Sequence, residues 1–308
     1  MAAARGRKTK YSWKAYAYLS PALITIALFS LLPVLYTIYL SFTNFNLNHF
    51  DSFQYVGFDN YKEILTGPFF NVFWPVFVWT VLYALAGTLL SYAVGLVLAL
   101  LLNNTRMKES NLYRGILVIP WALPAAIAIL AWQGLYNDSF GQINLFLTKL
   151  GLEKIPWLND PDWAKTAIII TTIWLGYPFM MNVCLGALQA IPKDLYEAAD
   201  MDGAGMWRKF WSVTFPGLMS SSLPLLISSF AYNFNNFGAA FLITGGGPPR
   251  PDTQFAGFTD ILVSAAYNMT LVFYRYDLAA TLSIIIFFIV GILSFINMKM
   301  TRAFEEVD

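Results

Sequence analysis

Long apolar stretches alternate along this chain with short polar ones. A helix needs about 20 mostly apolar residues to cross the hydrocarbon core of a bilayer, so stretches free of Asp, Glu, Lys and Arg mark candidate spans. Six such stretches occur, over residues 16–42, 72–102, 116–133, 167–190, 218–243 and 278–298. A seventh apolar run, 261–274, is only about 14 residues long and is bracketed by Asp260 and Arg275, so it is expected in a loop or at the interface. The pattern predicts an all-α membrane protein with six transmembrane helices.

The polar segments set the orientation, because Lys and Arg accumulate in short cytoplasmic loops. With the amino terminus inside, the inner segments carry Arg5, Arg7, Lys8, Lys10, Lys14, Arg106, Lys108, Arg114, Lys193, Arg208, Lys209, Lys299 and Arg302. The outer ones carry only Lys62, Lys149, Lys154, Lys165, Arg250 and Arg275. Both termini are therefore expected in the cytoplasm. The basic start superficially resembles a secretory leader, but no charge follows Lys14 until Asp51, far longer than a leader's apolar core. A retained first span is expected. Trp74, Trp121, Trp132, Trp157 and Trp163 fall near predicted span ends, as interfacial aromatics do.

Two spans carry features beyond apolarity. Pro33, Pro120, Pro124, Pro178 and Pro224 interrupt spans, and Pro178 lies mid-span beside Gly176 and Tyr177. Local unwinding of the fourth span is expected there. In the fifth span Ser229, Tyr232, Asn233 and Asn236 recur at i, i+3, i+4 and i+7 and share one helix face, while Phe230, Phe234 and Phe237 project elsewhere. A buried amide without a partner costs about 1 to 3 kcal/mol, so these groups must meet another helix, water or a solute. Hydrogen bonding across the bundle and a polar cavity both satisfy that demand. A sugar fits the cavity alternative, with hydroxyls on the amides and an apolar ring face on Tyr232.

Composition narrows the chemistry. Hydrophobic residues make up 57% of the chain and charged ones 12%, too few to solubilise a globule of this size. The net charge of +1 gives no nucleic-acid footprint, and one Cys (Cys184) and one His (His49) cannot build a disulfide framework or a metal centre. No Gly-x-x-x-x-Gly-Lys-Ser/Thr loop is present to hold nucleotide phosphates. Charges are absent within the spans, which disfavours an ion-coupled secondary transporter. No tandem repeat or linker divides the chain, so one membrane domain, 16–300, is expected between a cytoplasmic segment, 1–15, and a cytoplasmic tail, 301–308.

Between the fourth and fifth spans runs an inner loop, 191–216, that reads as helix, turn, helix. Pro192 suits a first helical position, Gly203 the left-handed residue that ends a helix, and Pro216 the restart into the next span. Glu197, Asp200 and Asp202 keep the loop in water, while Ala198 and Ala199 leave a small face for close approach to another protein.

Glu197-Ala198-Ala199, then Asp202-Gly203-Ala204, then Phe215-Pro216 resemble the EAA signature of the integral membrane subunits of binding-protein-dependent ABC importers. The resemblance extends over nearly the whole chain. Tyr55-Val-Gly-Phe-Asp-Asn-Tyr61, Pro156-Trp-Leu158 and Thr244-Gly-Gly-Gly-Pro248 are similar to the carbohydrate-importing branch. Phe230-Ala-Tyr-Asn-Phe-Asn-Asn-Phe237 and Ala256-Gly-Phe-Thr-Asp-Ile-Leu-Val263 are similar to its maltose and maltodextrin permeases. The outer loop after the first span is about 30 residues, without the enlarged outer domain of some relatives.

The resemblance implies the MetI-like permease fold of type I ABC importers in a bacterial or archaeal cytoplasmic membrane. It implies no catalytic site or cofactor in this chain, with ATP and Mg²⁺ on a partner ATPase coupled through Glu197, Ala198, Ala199, Asp202 and Gly203. The partners it implies are a second, MalG-like permease subunit, an ATPase homodimer and an extracytoplasmic sugar-binding protein. Sugar contacts map onto Leu175, Gly176, Phe179, Ser229, Tyr232, Asn233 and Asn236. Phe179 stands where the family pattern has Tyr, and Tyr232 where it has Phe, which puts one polar sugar contact in doubt. The implied solute is a neutral oligosaccharide, most closely maltose or maltodextrin. Lactose, trehalose and glycerol phosphate remain alternatives, although a phosphate would call for a cation in the spans. Rivals from other classes are a secondary sugar transporter and an uncoupled channel or scaffold.

Overall fold

The computed structural model describes residues 13–104 and 107–300. The basic positions Arg5, Arg7, Lys8, Lys10, Arg106 and Arg302, and with them most of the inner segment and the tail 301–308, lie outside the described residues. Among those described there is no strand, only helices and two isolated bridges, Thr43 with Tyr55 and Pro249 with Gly257.

The first stretch is α1 (Trp13–Ile26), a π-helical turn (Ala27–Leu31) ahead of Pro33, and α2 (Leu32–Ser41). A short helix, α3 (Asp59–Leu65), precedes the long α4 (Phe70–Leu102). The third predicted span is broken into α5 (Ser110–Leu117), α6 (Ile119–Ala122) and α7 (Ala125–Leu135). After α8 (Gln142–Lys149) comes α9 (Pro161–Ala190), followed by the inner-loop helices α10 (Lys193–Met201) and α11 (Met206–Lys209). A second π turn (Phe210–Thr214) runs α11 on into α12 (Phe215–Phe234), which α13 (Phe237–Thr244) follows. The short α14 (Leu262–Leu271) and α15 (Tyr276–Met300) complete the order.

Five stretches are long and apolar enough to cross a membrane: Tyr16–Ser41, Phe70–Leu102, Pro161–Ala190, Met206–Thr244 and Tyr276–Met300. The third predicted span is met instead by the discontinuous α5–α7, whose longest piece, Ala125–Leu135, is too short to cross alone. The multi-pass all-α architecture is therefore as the pattern predicts, with the third crossing assembled from pieces.

Expectations about the breaks are corrected in three places. The fourth span does not unwind at Pro178, because α9 remains one helix through it. Pro178 is buried where α9 lies along α4, and Asn182 Nδ2 donates to the Pro178 carbonyl at 3.0 Å. The break lies in the third span, where Pro120 and Pro124 stand four apart. The second proline biases the residue before it away from helix, and Leu123 is extended (φ −81°, ψ 144°). The fifth span also breaks, at Asn235 and Asn236, and the second arm of the inner loop is continuous with it through the π turn rather than restarting at Pro216. Pro192 sits one residue earlier than expected, flanking the first turn of α10.

The run 261–274 is not a loop but a helix over most of its length. Leu262, Ala265, Ala266 and Met269 bury α14 against α4 and α15. Its isolated ten-residue length says nothing about burial, which here comes from two longer helices flanking it. Trp157 also departs from the interfacial reading: it is buried in a cluster with Tyr136 and Ile168.

Packing is organised around the α4–α9 pair. A Cβ placed on Gly95 would lie 2.6 Å from the Met181 backbone nitrogen, so the two backbones touch where only glycine fits. Such small-residue contacts substitute for the hydrophobic driving force that lipid removes. One apolar cluster, with Met181, Leu185 and Leu218, fills the inner-loop end of the pair, and another, with Tyr83, Tyr136 and Ile168, the opposite end. The C-terminal end of α2 is held by Asn60, which donates to the carbonyls of Ser41 (2.9 Å) and Thr43 (2.7 Å), and by Thr281 of α15 donating to Ser41 (3.2 Å). The apolar window of Tyr16–Ser41 is otherwise wholly unburied, a surface suited to lipid.

Candidate functional site

Between the two clusters on the α4–α9 pair, near mid-height of both helices, the wall turns polar around a cavity of about 560 Å³. Gly87, Thr88 and Ser91 of α4 form one wall, and Thr172, Leu175, Gly176 and Phe179 of α9 the next. Ser229, Tyr232 and Asn233 of α12 face them, with Asn236 in the gap before α13. All seven residues to which the family resemblance assigns sugar contacts line this one cavity.

Their local states differ. Asn236 is not on the α12 helix: it caps α13, its side-chain oxygen accepting from the Ala239 amide at 3.5 Å. Asn233 is buried and donates to Thr88 Oγ1 at 3.0 Å, so this amide joins α12 to α4 while lining the cavity. Tyr232 is 69% exposed, its ring free to meet a solute. Phe230 and Phe234 turn into the apolar cluster around α14 and α15, as the period of the face requires. The two alternatives for the polar face, interhelical bonding and a cavity, thus both hold, and Asn233 serves both.

Ser91 is a different case. Its hydroxyl is buried on the cavity wall and has no hydrogen-bond partner among the described residues. Leaving a buried hydroxyl unpaired costs about 1 to 3 kcal/mol, so this position carries an unmet hydrogen-bonding demand. Gly176 faces it: a Cβ there would come within 2.7 Å of Ser91 Oγ. Sequence reading missed Thr88 and Ser91, although they recur with Gly87 and Gly95 at helical spacing in an otherwise apolar span. It also missed Trp121 and Ile129, which reach the cavity only because the third span breaks. No pattern in the sequence gives the direction of that break.

The inner loop follows the expected helix–turn–helix. Gly203 has φ +70° and ends α10, with the Ala204 amide donating to the Ala199 carbonyl at 2.9 Å. Lys209 pairs with Asp200 across the turn, and Tyr196 OH bonds Thr214 Oγ1 at 3.0 Å, fastening α10 to the π turn that leads into α12. Glu197, Ala198 and Asp202 are exposed, and Met201, Met206 and Trp207 project apolar surface beside them (90%, 89% and 74% exposed). The loop therefore combines an exposed face with side-chain contacts to the segment that leads into α12, the helix lining the cavity.

At the opposite end, the loop between α13 and α14 is pinned by Asp260. Its carboxylate accepts from the Gly257 amide (2.8 Å) and from Ser264 Oγ (2.6 Å), and burial raises its pKa above the ordinary carboxylate value. Trp79 Nε1 donates to the Thr259 carbonyl at 3.1 Å, tying this loop to α4.

Comparison with known proteins follows the same lines. The sequence profile of the binding-protein-dependent transport system inner membrane component family matches residues 91–300. The chain is 44% identical over 256 residues to the maltose/maltodextrin transport system permease protein MalF of Klebsiella aerogenes, covering 80% of this chain and 49% of the relative. It is 36% identical over 296 residues to the galactooligosaccharides transport system permease protein GanP of Bacillus subtilis, covering 94% of this chain and 71% of that protein. The chain thus spans about half the length of the MalF relatives it matches. A crystal structure of a bacterial ABC transporter involved in import of the acidic polysaccharide alginate shares the fold, with TM-score 0.75 and 23% identity over 96% of both chains. The multi-pass helical fold, the signature of the inner loop and the match across residues 91–300 agree: this chain belongs to the family of binding-protein-dependent transport system inner membrane components.

Proposed function

We propose that the chain is a permease subunit of an ATP-driven importer and forms part of the path for a neutral oligosaccharide of the maltodextrin class. The observation that carries the reading is the mid-height cavity. It is lined by two amides, five serine and threonine residues and the rings of Tyr232, Phe179 and Trp121 within about 560 Å³. Planar amides that pair vicinal hydroxyls, beside aromatic faces that cover an apolar ring, are the recognition chemistry of a saccharide. No Lys, Arg, Asp or Glu lines the cavity, which suits an uncharged solute. The similarity to MalF supports maltodextrin, and the longer match to GanP favours a galactooligosaccharide as the second reading.

In this proposal the amino terminus and the inner loop are cytoplasmic. The exposed face around Glu197 docks on a separate ATPase, and closure of that ATPase moves α10. The Lys209–Asp200 and Tyr196–Thr214 contacts pass the movement into α12, whose residues 229–233 line the cavity. A second permease subunit completes the path and an extracytoplasmic binding protein delivers the sugar. The described part of the chain supplies walls and a lever arm, while ATP and Mg²⁺ act on the partner.

The test is the reconstituted complex with its binding protein, assayed for saccharide-stimulated ATP hydrolysis and uptake across maltodextrins and galactooligosaccharides. Asn236→Ala is expected to reduce uptake about 10-fold, and Asn233→Ala as much or more because Thr88 also loses its partner. Wild-type uptake in both variants, with the complex assembled, would remove the cavity assignment.

A further inference from the structure

A second cavity, of about 730 Å³, opens between α5 and α9 and is lined by Asn111, Arg114, Trp121, Phe179 and Asn182. Trp121 and Phe179 also line the first cavity, so the two adjoin at these rings. The second lies toward the inner loop, because Asn182 follows Phe179 by one turn on the helix that ends at Ala190.

Its polar groups are built into place. Arg114 Nε and Nη2 both donate to Asn182 Oδ1, at 3.2 and 3.0 Å. Asn182 Nδ2 in turn donates to the Pro178 carbonyl at 3.0 Å, which fixes the orientation of the amide and with it the guanidinium. Among the described residues Arg114 forms no ion pair. Its other N–H donors are therefore available beside two aromatic rings in an open cavity. A rigid fork of donors, a side-chain amide and flat apolar faces suit a pyranose with neighbouring hydroxyls.

We propose that this second cavity is a saccharide subsite on the release side of the pathway, with Arg114 as its donor and Asn182 as the residue that positions it. The inference rests on the sugar reading above. A solute leaving the upper cavity passes Trp121 and Phe179 and is held briefly by Arg114 before release. Sugar that accumulates on the inner side occupies the same place and slows return to the outward-facing state. The subsite thereby makes import sensitive to its own product.

The experiment uses the whole complex in sealed vesicles, with maltotetraose or an equal osmolarity of sorbitol enclosed on the ATPase side. Import is driven from the other side by the loaded binding protein. Enclosed maltotetraose at about 10 mM is expected to slow import, whereas sorbitol is not. Arg114→Ala and Asn182→Ala should each raise the enclosed concentration needed for half-inhibition about 10-fold, well beyond any change in half-saturation from the outside. Arg114→Lys should recover only part of the sensitivity, since an ammonium lacks the fork. Wild-type import indifferent to enclosed maltotetraose would overturn the proposal. So would variants that copurify without the second membrane subunit, since that outcome makes this face a subunit contact. If no saccharide stimulates ATP hydrolysis even from the outside, the sugar reading itself falls, and the subsite with it.

Discussion

The third and fourth spans both contain proline, and only one of them breaks. In α9, Pro178 is buried where the helix packs along α4, and the helix continues through it. In the third span, Pro120 and Pro124 flank a residue already pushed toward extended geometry, and the pieces α5 to α7 carry mostly exposed residues. A single proline in a well-packed membrane helix is accommodated by its neighbours, whereas two in succession on a loosely packed one redirect the chain. The consequence is functional: the continuous helix supplies a fixed wall, and the broken one turns Trp121 into the cavity.

The largest expected effect comes from disturbing what keeps α9 continuous. Gly95→Leu would drive a side chain into the Met181 backbone, and overpacking of this kind costs about 1 to 3 kcal/mol or more. Loss of most of the folded complex on size-exclusion chromatography is the expected outcome. Recovery of normal amounts would mean that the α4–α9 seam yields more easily than the close approach implies. Next, Pro124→Ala releases Leu123 from its extended bias and lets α6 and α7 approach one helix. Trp121 then leaves the cavity wall, and half-saturation for uptake should rise roughly 5-fold or more. Pro178→Ala is the matched control in the continuous helix, and uptake should stay within about 2-fold of wild type. A larger loss there would erase the contrast between the two spans.

The smallest effect concerns the outer loop. Burial raises the Asp260 pKa, so folding favours its protonated form. That contribution is fully present below the unfolded pKa and is lost as pH rises through the raised value, with the Gly257, Ser264 and Asn268 donors offsetting part of the cost. Hydrogen exchange at the Gly257 amide, corrected for intrinsic rates, should therefore show protection decreasing modestly from about pH 4 upward. Protection that increases over this interval would contradict the sign.

Much of this protein is legible in its sequence. Solvent, helical class, the extents of α4, α9 and α15 and the turn at Gly203 follow from apolar length and from the few residues tolerated at a left-handed position. The inner loop identifies the family, and the residues its resemblance assigns to the sugar lie on one cavity. That outcome has a local cause, since Leu175, Gly176 and Phe179 share a helix and Ser229, Tyr232 and Asn233 share another. Hidden from the sequence were the place of the break, the burial of α14, and the second role of Asn233 as a bond to Thr88.

What the sequence determined by itself was periodic or local: how long each apolar run is, which residues share a helix face, and where the backbone must turn. What only the tertiary structure decided was which proline breaks its helix and which polar groups meet a partner. Both depend on the neighbouring helix, α4 packed along Pro178 of α9 and Thr88 of α4 beside Asn233, and pairing between distant helices leaves no period along the chain. For the same reason Ser91 reads as an ordinary small residue in a span, and only the assembled helices show its hydroxyl buried without a partner among the described residues.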